Sequence, residues 1–493
     1  MSPLASSVSQ REKELRLLAK YEKQKQKKKP KGYFWYMLLV LALIYIVDEV
    51  ATNLPNSLET EINVALFGLP FITANGFGLE QLNAVAFHGA MEPAPIYDAL
   101  SQGLSWIGMV KLVANVTLIA SMFYRPLADK YGRRIFLFAN TIGMAAALVV
   151  LYFASNIWVY ALGFLALRFF VTPDQQVIYL VEISPEKHRG TLLSITKGLA
   201  EFGLVLMWLL RRIFLQESVP SSYRSLFLVI SIAAAIIAFV ALFCSRESDV
   251  FLDEKIAYLK KSPEERAQEK ADASKAQGGF FAALKYTMKN KQLRWIMIVT
   301  AVVEIAYSCC NNYSNVLSNG ILGVGYLNQA QATEVGFFFP FSCAVVTMLY
   351  GYFADRFGRK PTSIGLLALA TLGFIGEFVA LYLGWPLAVI GLFLGVVLGA
   401  DWANGDLYAM MATESSATNL RASVMSVWSL FFGVGMVLSM GICAILPAVV
   451  GKANLSIGYF LVAVPAWVVA LVLLQLKVKE TKGADLKTAG KQD

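Results

Sequence analysis

Two short phrases place opposite charges at a fixed spacing: Leu127-Ala-Asp-Lys-Tyr-Gly-Arg-Arg134 and Phe353-Ala-Asp-Arg-Phe-Gly-Arg-Lys360. Asp129 and Asp355 lie 226 positions apart in a chain of 493, so each half carries one copy. The chemistry on offer is ion pairing at helix ends. Gly132 and Gly358 permit a tight turn, and each Asp can accept from exposed helix amides. Arg133, Arg134, Arg359 and Lys360 need carboxylates, and carboxylates recur in step. Glu182 precedes Arg189 by seven residues and Glu414 precedes Arg421 by seven, the two sets being offset by 232. Glu247 and Glu480 are 233 apart. Basic loops also occur simply to fix membrane topology, but topology alone does not call for Glu at matching offsets. The expectation is a charge latch built twice.

A second set of charges lies inside apolar stretches: Asp48, Glu49, Lys111, Arg168, Asp174, Lys197, Glu201, Glu304, Glu377, Asp401 and Asp406. Each costs about 2.5–3.5 kcal/mol to insert unless it faces a cavity or a partner. The two His residues, His88 and His188, fall outside those stretches. Proton chemistry within them therefore falls to carboxylates, and an isolated carboxyl in a low-dielectric cavity can take up a proton near neutral pH. Asp48, Glu49, Glu304 and Asp401 are the candidates. The plainer alternatives are a static bridge from Asp48 or Glu49 to Arg168, and a local pair between Lys197 and Glu201, one turn apart.

The elements that must hold these charges are membrane helices. The chain is 57% hydrophobic and 16% charged, against about 25% charged in soluble domains. Apolar segments long enough to cross a bilayer recur as twelve spans near 33–54, 101–124, 135–153, 157–181, 190–211, 224–244, 293–316, 333–353, 361–383, 386–411, 423–447 and 454–476. The expected organisation is a basic tail (1–32), a six-helix bundle (33–244), a hydrophilic linker (245–292), a second six-helix bundle (293–476) and a tail (477–493). The tail 1–32 holds ten Lys/Arg, and no short apolar run with a cleavage site marks a signal peptide. Such a run could bind nucleic acid. The commoner reading is a cytoplasmic segment beside anionic lipid, with a basic surface helix over 10–29.

Segment 55–100 holds five acidic residues and no Lys or Arg, so it is expected to be a long external loop, a lid or a binding surface. The hairpins are then cytoplasmic, as are both termini. Arg211, Arg212 and Arg224 on the external side go against this rule and call for a local acidic partner. The five Cys residues all sit in apolar segments, with neither a disulfide pattern nor metal-ligand spacing.

The repeated hairpins, the shared Glu and Arg positions and the six-span halves resemble the major facilitator superfamily over nearly the full length. Tyr179-Leu-Val-Glu182-Ile-Ser-Pro with Arg189-Gly190, and Glu480-Thr-Lys-Gly483, resemble its sugar porter branch. The resemblance implies an all-α membrane protein, twelve helices in two pseudo-symmetric bundles around a central cavity lined by spans one, four, seven and ten. It also implies that the hairpin charges form a cytoplasmic gate, and that Asp48 stands where some sugar porters couple protons.

The match departs in places. Arg125 replaces the opening Gly of the first hairpin, whereas Gly351 keeps it in the second. Lys197 stands where sugar porters have a sugar-contacting Gln. Glu304, Asn311, Asn312 and Tyr313 replace the span-seven Gln pair, and Gly405-Asp406-Leu-Tyr408 with a displaced Trp402 replaces the span-ten phrase. Arg168, Lys197, Asn311, Asn312, Tyr313, Trp402 and Asp406 are the resulting substrate-site candidates. Arg168 and Lys197 suit a charged metabolite such as a carboxylated one better than a neutral hexose, while the count of acids keeps a cationic or zwitterionic solute open.

Three classes follow. The favoured one is a monomeric secondary transporter for a small polar organic solute, moving by alternating access with protons, in the plasma membrane and without cofactor, metal or nucleic acid. A facilitative sugar or polyol uniporter is the nearest alternative. A membrane enzyme has no nucleophile, phosphate-loop or paired-His motif to support it, and a transporter-like receptor would not need two intact hairpins.

Overall fold

The computed structural model describes the chain except residues 1–2, 28–29, 89, 115, 118–119, 121–123, 125–126, 128–130, 172–174, 185–188, 217, 263, 266–267, 269–279, 319–326, 328, 417–420, 452–453 and 483–493, and the side chains of some helix residues, Arg189, Asn312 and Arg421 among them. Asp129, Arg125 and Asp174 therefore lie outside the described residues.

The described residues form helices and no strand. The tail is a helix, α1 (Pro3–Gln26). The first half holds α2 (Tyr33–Ser57), short helices α3 (Glu59–Asn63), α4 (Leu69–Asn75) and α5 (Leu79–His88), then α6 (Ala94–Ala114), α7 (Arg133–Tyr152), α8 (Ile157–Val171), α9 (Gln175–Ile183), α10 (Arg189–Phe214) and α11 (Arg224–Cys244). The linker carries α12 (Asp249–Lys260) and α13 (Phe280–Lys289). The second half holds α14 (Lys291–Ser318), α15 (Gln329–Phe357), α16 (Arg359–Tyr382), α17 (Leu387–Glu414), α18 (Arg421–Val450) and α19 (Leu455–Lys477).

Ten of these helices are long and apolar enough to cross a membrane. The second span is described as α6, beginning at Ala94 rather than near 101, and the fourth is divided into α8 and α9 around residues outside the description. Packing repeats between halves. In the first, α2 packs on α10 and α11, and α7 on α8 and α11. In the second, α14 packs on α18 and α19, and α16 on α17 and α19. The seam between halves is made by α10 against α15. Gly198 permits it, because a Cβ there would lie 2.3 Å from Met348 Cγ and 3.0 Å from the Ala344 carbonyl.

The segment between α2 and α6 is a folded cap rather than a loop. Val64, Ile72, Leu82, Val85, Ala86, Phe87, Ile96, Leu100 and Leu104 form its own apolar cluster. Asn63 pins it by donating to the Leu100 carbonyl at 2.9 Å. Its Gly and Pro residues punctuate short helices here, and its apolar side chains supply enough burial to hold them together. At the opposite end, α1 packs along α12. Tyr21 meets Phe251 edge-on at 6.2 Å, Lys260 pairs with Glu22 at 2.8 Å, and Lys25 pairs with Asp253.

Candidate functional site

The hairpins are positioned by glycine. Gly132 and Gly358 each head a helix, α7 and α16, with φ of +112°. That backbone region suits glycine, and neither residue has a side chain to cap the helix. A distant glutamate does so instead. Glu247 Oε1 accepts from the Arg133 and Arg134 amides at 2.7 and 3.3 Å. Glu480 accepts from the Arg359 and Lys360 amides at 2.9 and 3.0 Å. A carboxylate at a helix N-terminus is favourable because it answers unsatisfied N–H groups and the helix dipole. A Cβ at either glycine would collide with its glutamate, 2.4 Å from Glu247 Oε2 or 2.5 Å from Glu480 Oε2.

The side-chain pairs follow the same symmetry. Arg133 pairs with Glu182 at 2.9 Å, and Arg359 with Glu414 at 3.2 Å. Ser248 and Thr481 donate to the free oxygens of those glutamates. Arg134 donates to the Leu242 carbonyl at 2.8 Å and Lys360 to the Gln475 carbonyl at 2.9 Å. Asp355 adds an ion pair to Arg359 at 3.2 Å. Each tie joins helices of one half only. The sequence suggested pairs at contacts between the bundles; the described pairs instead knit each bundle to itself, because Glu182 and Glu247 approach α7 from α9 and the end of α11, and Glu414 and Glu480 approach α16 from α17 and the end of α19. The backbones of Arg189 and Arg421 open α10 and α18.

The two glutamates outside the spans differ in acidity. Burial pushes Glu247 above the usual carboxylate range, and the Arg133, Arg134 and Ser248 amides and the Arg133 charge offset this only in part. Burial also raises Glu480, but the amides of Lys482, Arg359, Lys360 and Thr481 together outweigh it and hold Glu480 below the usual range.

Inside the spans, α2 presents Asp48, which is buried and accepts from Gln176 at 2.8 Å. Glu49 accepts from Asn53 at 3.4 Å. Arg168 is half-buried on α8. Lys197 reaches across the seam to Asp406 of α17, meeting both oxygens at 2.7 and 2.8 Å. Tyr350 of α15 donates to the same carboxylate at 2.7 Å. The sequence placed Lys197 as a substrate contact or a local partner of Glu201, and the structure adds Asp406, 209 positions away, as its ion-pair partner.

Glu304 and Asp401 are buried within the second bundle, Asp401 accepting from Trp467 at 3.3 Å. Tyr313 is also buried there, with Phe374 edge-on at 5.1 Å. These three do not line the central cavity.

That cavity encloses about 140 Å³ between the halves, and Asn311 and Trp402 are the sequence candidates that line it. Trp402 donates to Tyr307 at 3.0 Å, and Tyr307 lines the cavity too. Glu377, singled out in the sequence only as a charge within a span, lines it too, and lining residues that the sequence reading did not propose include Asn53, Glu61, Trp208 and Arg211. One signal was available: Arg211 broke the charge rule. It pairs with Glu61 at 2.9 Å, both side chains buried, and lies 5.0 Å over the Trp208 ring. Arg224 donates to the Ala154 carbonyl at 2.7 Å, and Lys111 pairs with Glu59 at 2.8 Å. Along α10 the cavity residues Trp208 and Arg211 follow Lys197 by 11 and 14 positions, roughly 16–21 Å of helix rise. The cavity therefore occupies the half of the molecule away from the hairpins, and the Lys197–Asp406 bridge lies between it and them.

Among the described residues, no cluster of His, Cys, Asp or Glu has metal-ligand form. The family model of the Major Facilitator Superfamily matches residues 39–439. The chain belongs to that superfamily, a family of transporters and not of enzymes, and it is an integral membrane protein. No curated protein matches it in sequence. Its fold is similar to the proton:xylose symporter XylE bound to 6-bromo-6-deoxy-D-glucose, at 16% identity and TM-score 0.59, covering 94% of this chain and 99% of that one. It is also similar to the inward-open xylose transporter XylE from E. coli, at 16% identity and TM-score 0.58, covering 92% and 98%. The human organic anion transporter MFSD10 is similar as well, at 13% identity and TM-score 0.60, covering 91% and 100%. At these identities the likeness is one of fold.

Proposed function

We propose that the protein is a secondary active transporter that moves a small polar organic solute by alternating access, coupled to protons. The observation that carries this reading is the order of features along the seam: a chamber between the halves, then a charge bridge joining Lys197 of one half to Asp406 of the other. A chamber closed on one side by a breakable tie is what alternating access requires. The hairpin face is the cytoplasmic one, on the strength of its basic loops and the acidic cap opposite, so both termini are cytoplasmic, and the plasma membrane is the expected site. The hairpin ties act as the gate by keeping each bundle rigid while the halves rock. Asp48, Glu49, Glu304 and Asp401 remain the proton-coupling candidates.

The solute is expected to carry hydrogen-bond donors, as an amine, a zwitterion or a polyol does. The lining holds Glu59, which pairs with Lys111, Glu61, which pairs with Arg211, and Glu377, and Lys197 is held by Asp406 instead of standing open to a carboxylate. A thermal-shift panel of sugars, amines, zwitterions and carboxylates identifies the class; stabilisation by carboxylates alone overturns this preference. Counterflow and uptake in proteoliposomes test transport itself. Exchange of label, with uptake driven by an imposed pH gradient and lost on adding a protonophore, is the expected result. Binding without exchange would leave a receptor, and exchange indifferent to the gradient would leave a uniporter.

A further inference from the structure

The seam gathers more acid than its bridge needs. Glu201 lies one turn from Lys197 on α10 and is only 4% exposed. The titratable and charged groups that act on it are Glu49 from α2, Lys197 from its own helix, Asp406 from α17 and the Cys343 thiol from α15, which hydrogen-bonds it. Its Oε2 is buried and has no hydrogen-bond partner. Three carboxylates thus gather around one ammonium, and that ammonium is bound to Asp406, with Tyr350 also donating there. A buried carboxylate oxygen without a donor is strongly disfavoured when ionised and much less so when the group carries a proton. At i and i+4 on one helix, Lys197 and Glu201 are within reach of each other.

We propose that Glu201 is a proton-carrying group that controls the tie between the halves. With a proton on Glu201, the ammonium of Lys197 stays with Asp406 and the hairpin face is closed. When Glu201 gives its proton to water, the new carboxylate draws Lys197 back along its own helix. Asp406 then keeps only the Tyr350 hydroxyl, and the tie across the seam is lost. The sequence offered Glu201 as a static partner of Lys197; the geometry makes it a competitor for that residue. The inference rests on the transport reading, and it assigns the proton step to a residue outside the candidates drawn from the sequence.

Spin-label distances test it without a solute. Labels at Phe243→Cys and Leu476→Cys, both exposed near the hairpin face, are placed in a Cys244→Ser background and reconstituted in lipid nanodiscs between pH 5 and 9. The wild-type sequence at position 201 is expected to move from a short to a long distance as pH rises, and Glu201→Gln to stay short throughout. A pH shift that survives in Glu201→Gln, or a distance that never depends on pH, overturns the proposal. Should the Gln variant fail to fold, Glu201→Asp keeps the carboxyl but shortens its reach; a moved midpoint is expected and an unmoved one overturns the proposal. Counterflow of the same variants in proteoliposomes reads the transport function separately, so a working exchanger with pH-indifferent distances refutes this inference alone.

Discussion

In the first half, Arg133 and Glu182 pair with side chains 8% and 12% exposed; in the second, Arg359 and Glu414 pair with both at 16%. The residues and offsets match, but the surroundings do not. Helix α12 covers the first tie, with Phe251 5.4 Å from the Arg133 guanidinium and packed against α1 through Tyr21. The second tie has no such roof among the described residues, and Arg359, Glu480 and Lys360 make several of their contacts at exposed positions. One motif, written twice, is thus more deeply covered in one half than in the other. The same pairing should then be strong but hard to release in the first half, and weaker but releasable in the second.

Breaking the pairs gives the largest contrast. Glu182→Gln removes the carboxylate that pairs with buried Arg133, and about 3 kcal/mol of destabilisation is expected. Glu414→Gln should cost about 1 kcal/mol, because Asp355 and the Ala354 carbonyl still hold Arg359. Thermal unfolding of the two variants in one detergent measures this, and equal losses would erase the contrast. Next in size are the turns. Gly132→Ala and Gly358→Ala both strain a φ of +112°, at about 1–3 kcal/mol each. Gly132→Ala should be the worse, since half-buried Glu247 has less room to yield than exposed Glu480.

The pH dependence is smaller and has opposite signs. Glu247 is raised on folding, so its contribution to stability is full below its unfolded value near 4.5 and falls as pH rises through the folded value. Glu480 is lowered, so its contribution is full above 4.5 and falls as pH drops through the folded value. Relative to wild type, Glu480→Gln should therefore lose stability as pH rises from about 4 to 7, while Glu247→Gln should gain it over the same window. Melting curves across that range decide the point, and parallel slopes would mean the two environments are alike. The smallest effect concerns the roof. Lys25→Ala removes an exposed pair with Asp253, expected to be worth under about 1 kcal/mol, and hydrogen exchange should rise at the start of α7 but not of α16.

Much of this architecture was legible because it is written in lengths and offsets. Apolar runs of bilayer length give the spans, and charges repeated at 226 and 232–233 positions give the symmetry and the partners of Arg133 and Arg359. What the sequence hid depends on tertiary contact. Local spacing favoured Lys197 with Glu201, yet the close approach of α10 to α15 at Gly198 sets Lys197 facing Asp406, 209 positions away. Tyr313 read as a polar contact, but its ring fills the second bundle beside Phe374. Arg211 was visible as an anomaly, and its partner Glu61 lay in a segment taken for a loop because Gly and Pro interrupt its apolar pattern.

The central claim is that the Lys197–Asp406 bridge holds the hairpin face closed. Spin-label distances between positions 243 and 476 in Lys197→Asp, Asp406→Lys and the double exchange test it most directly. Each single change places like charges across the seam and should lengthen the distance, and the double exchange should restore the short one. Single variants that keep the wild-type distance, or a double exchange that stays open, would contradict the account.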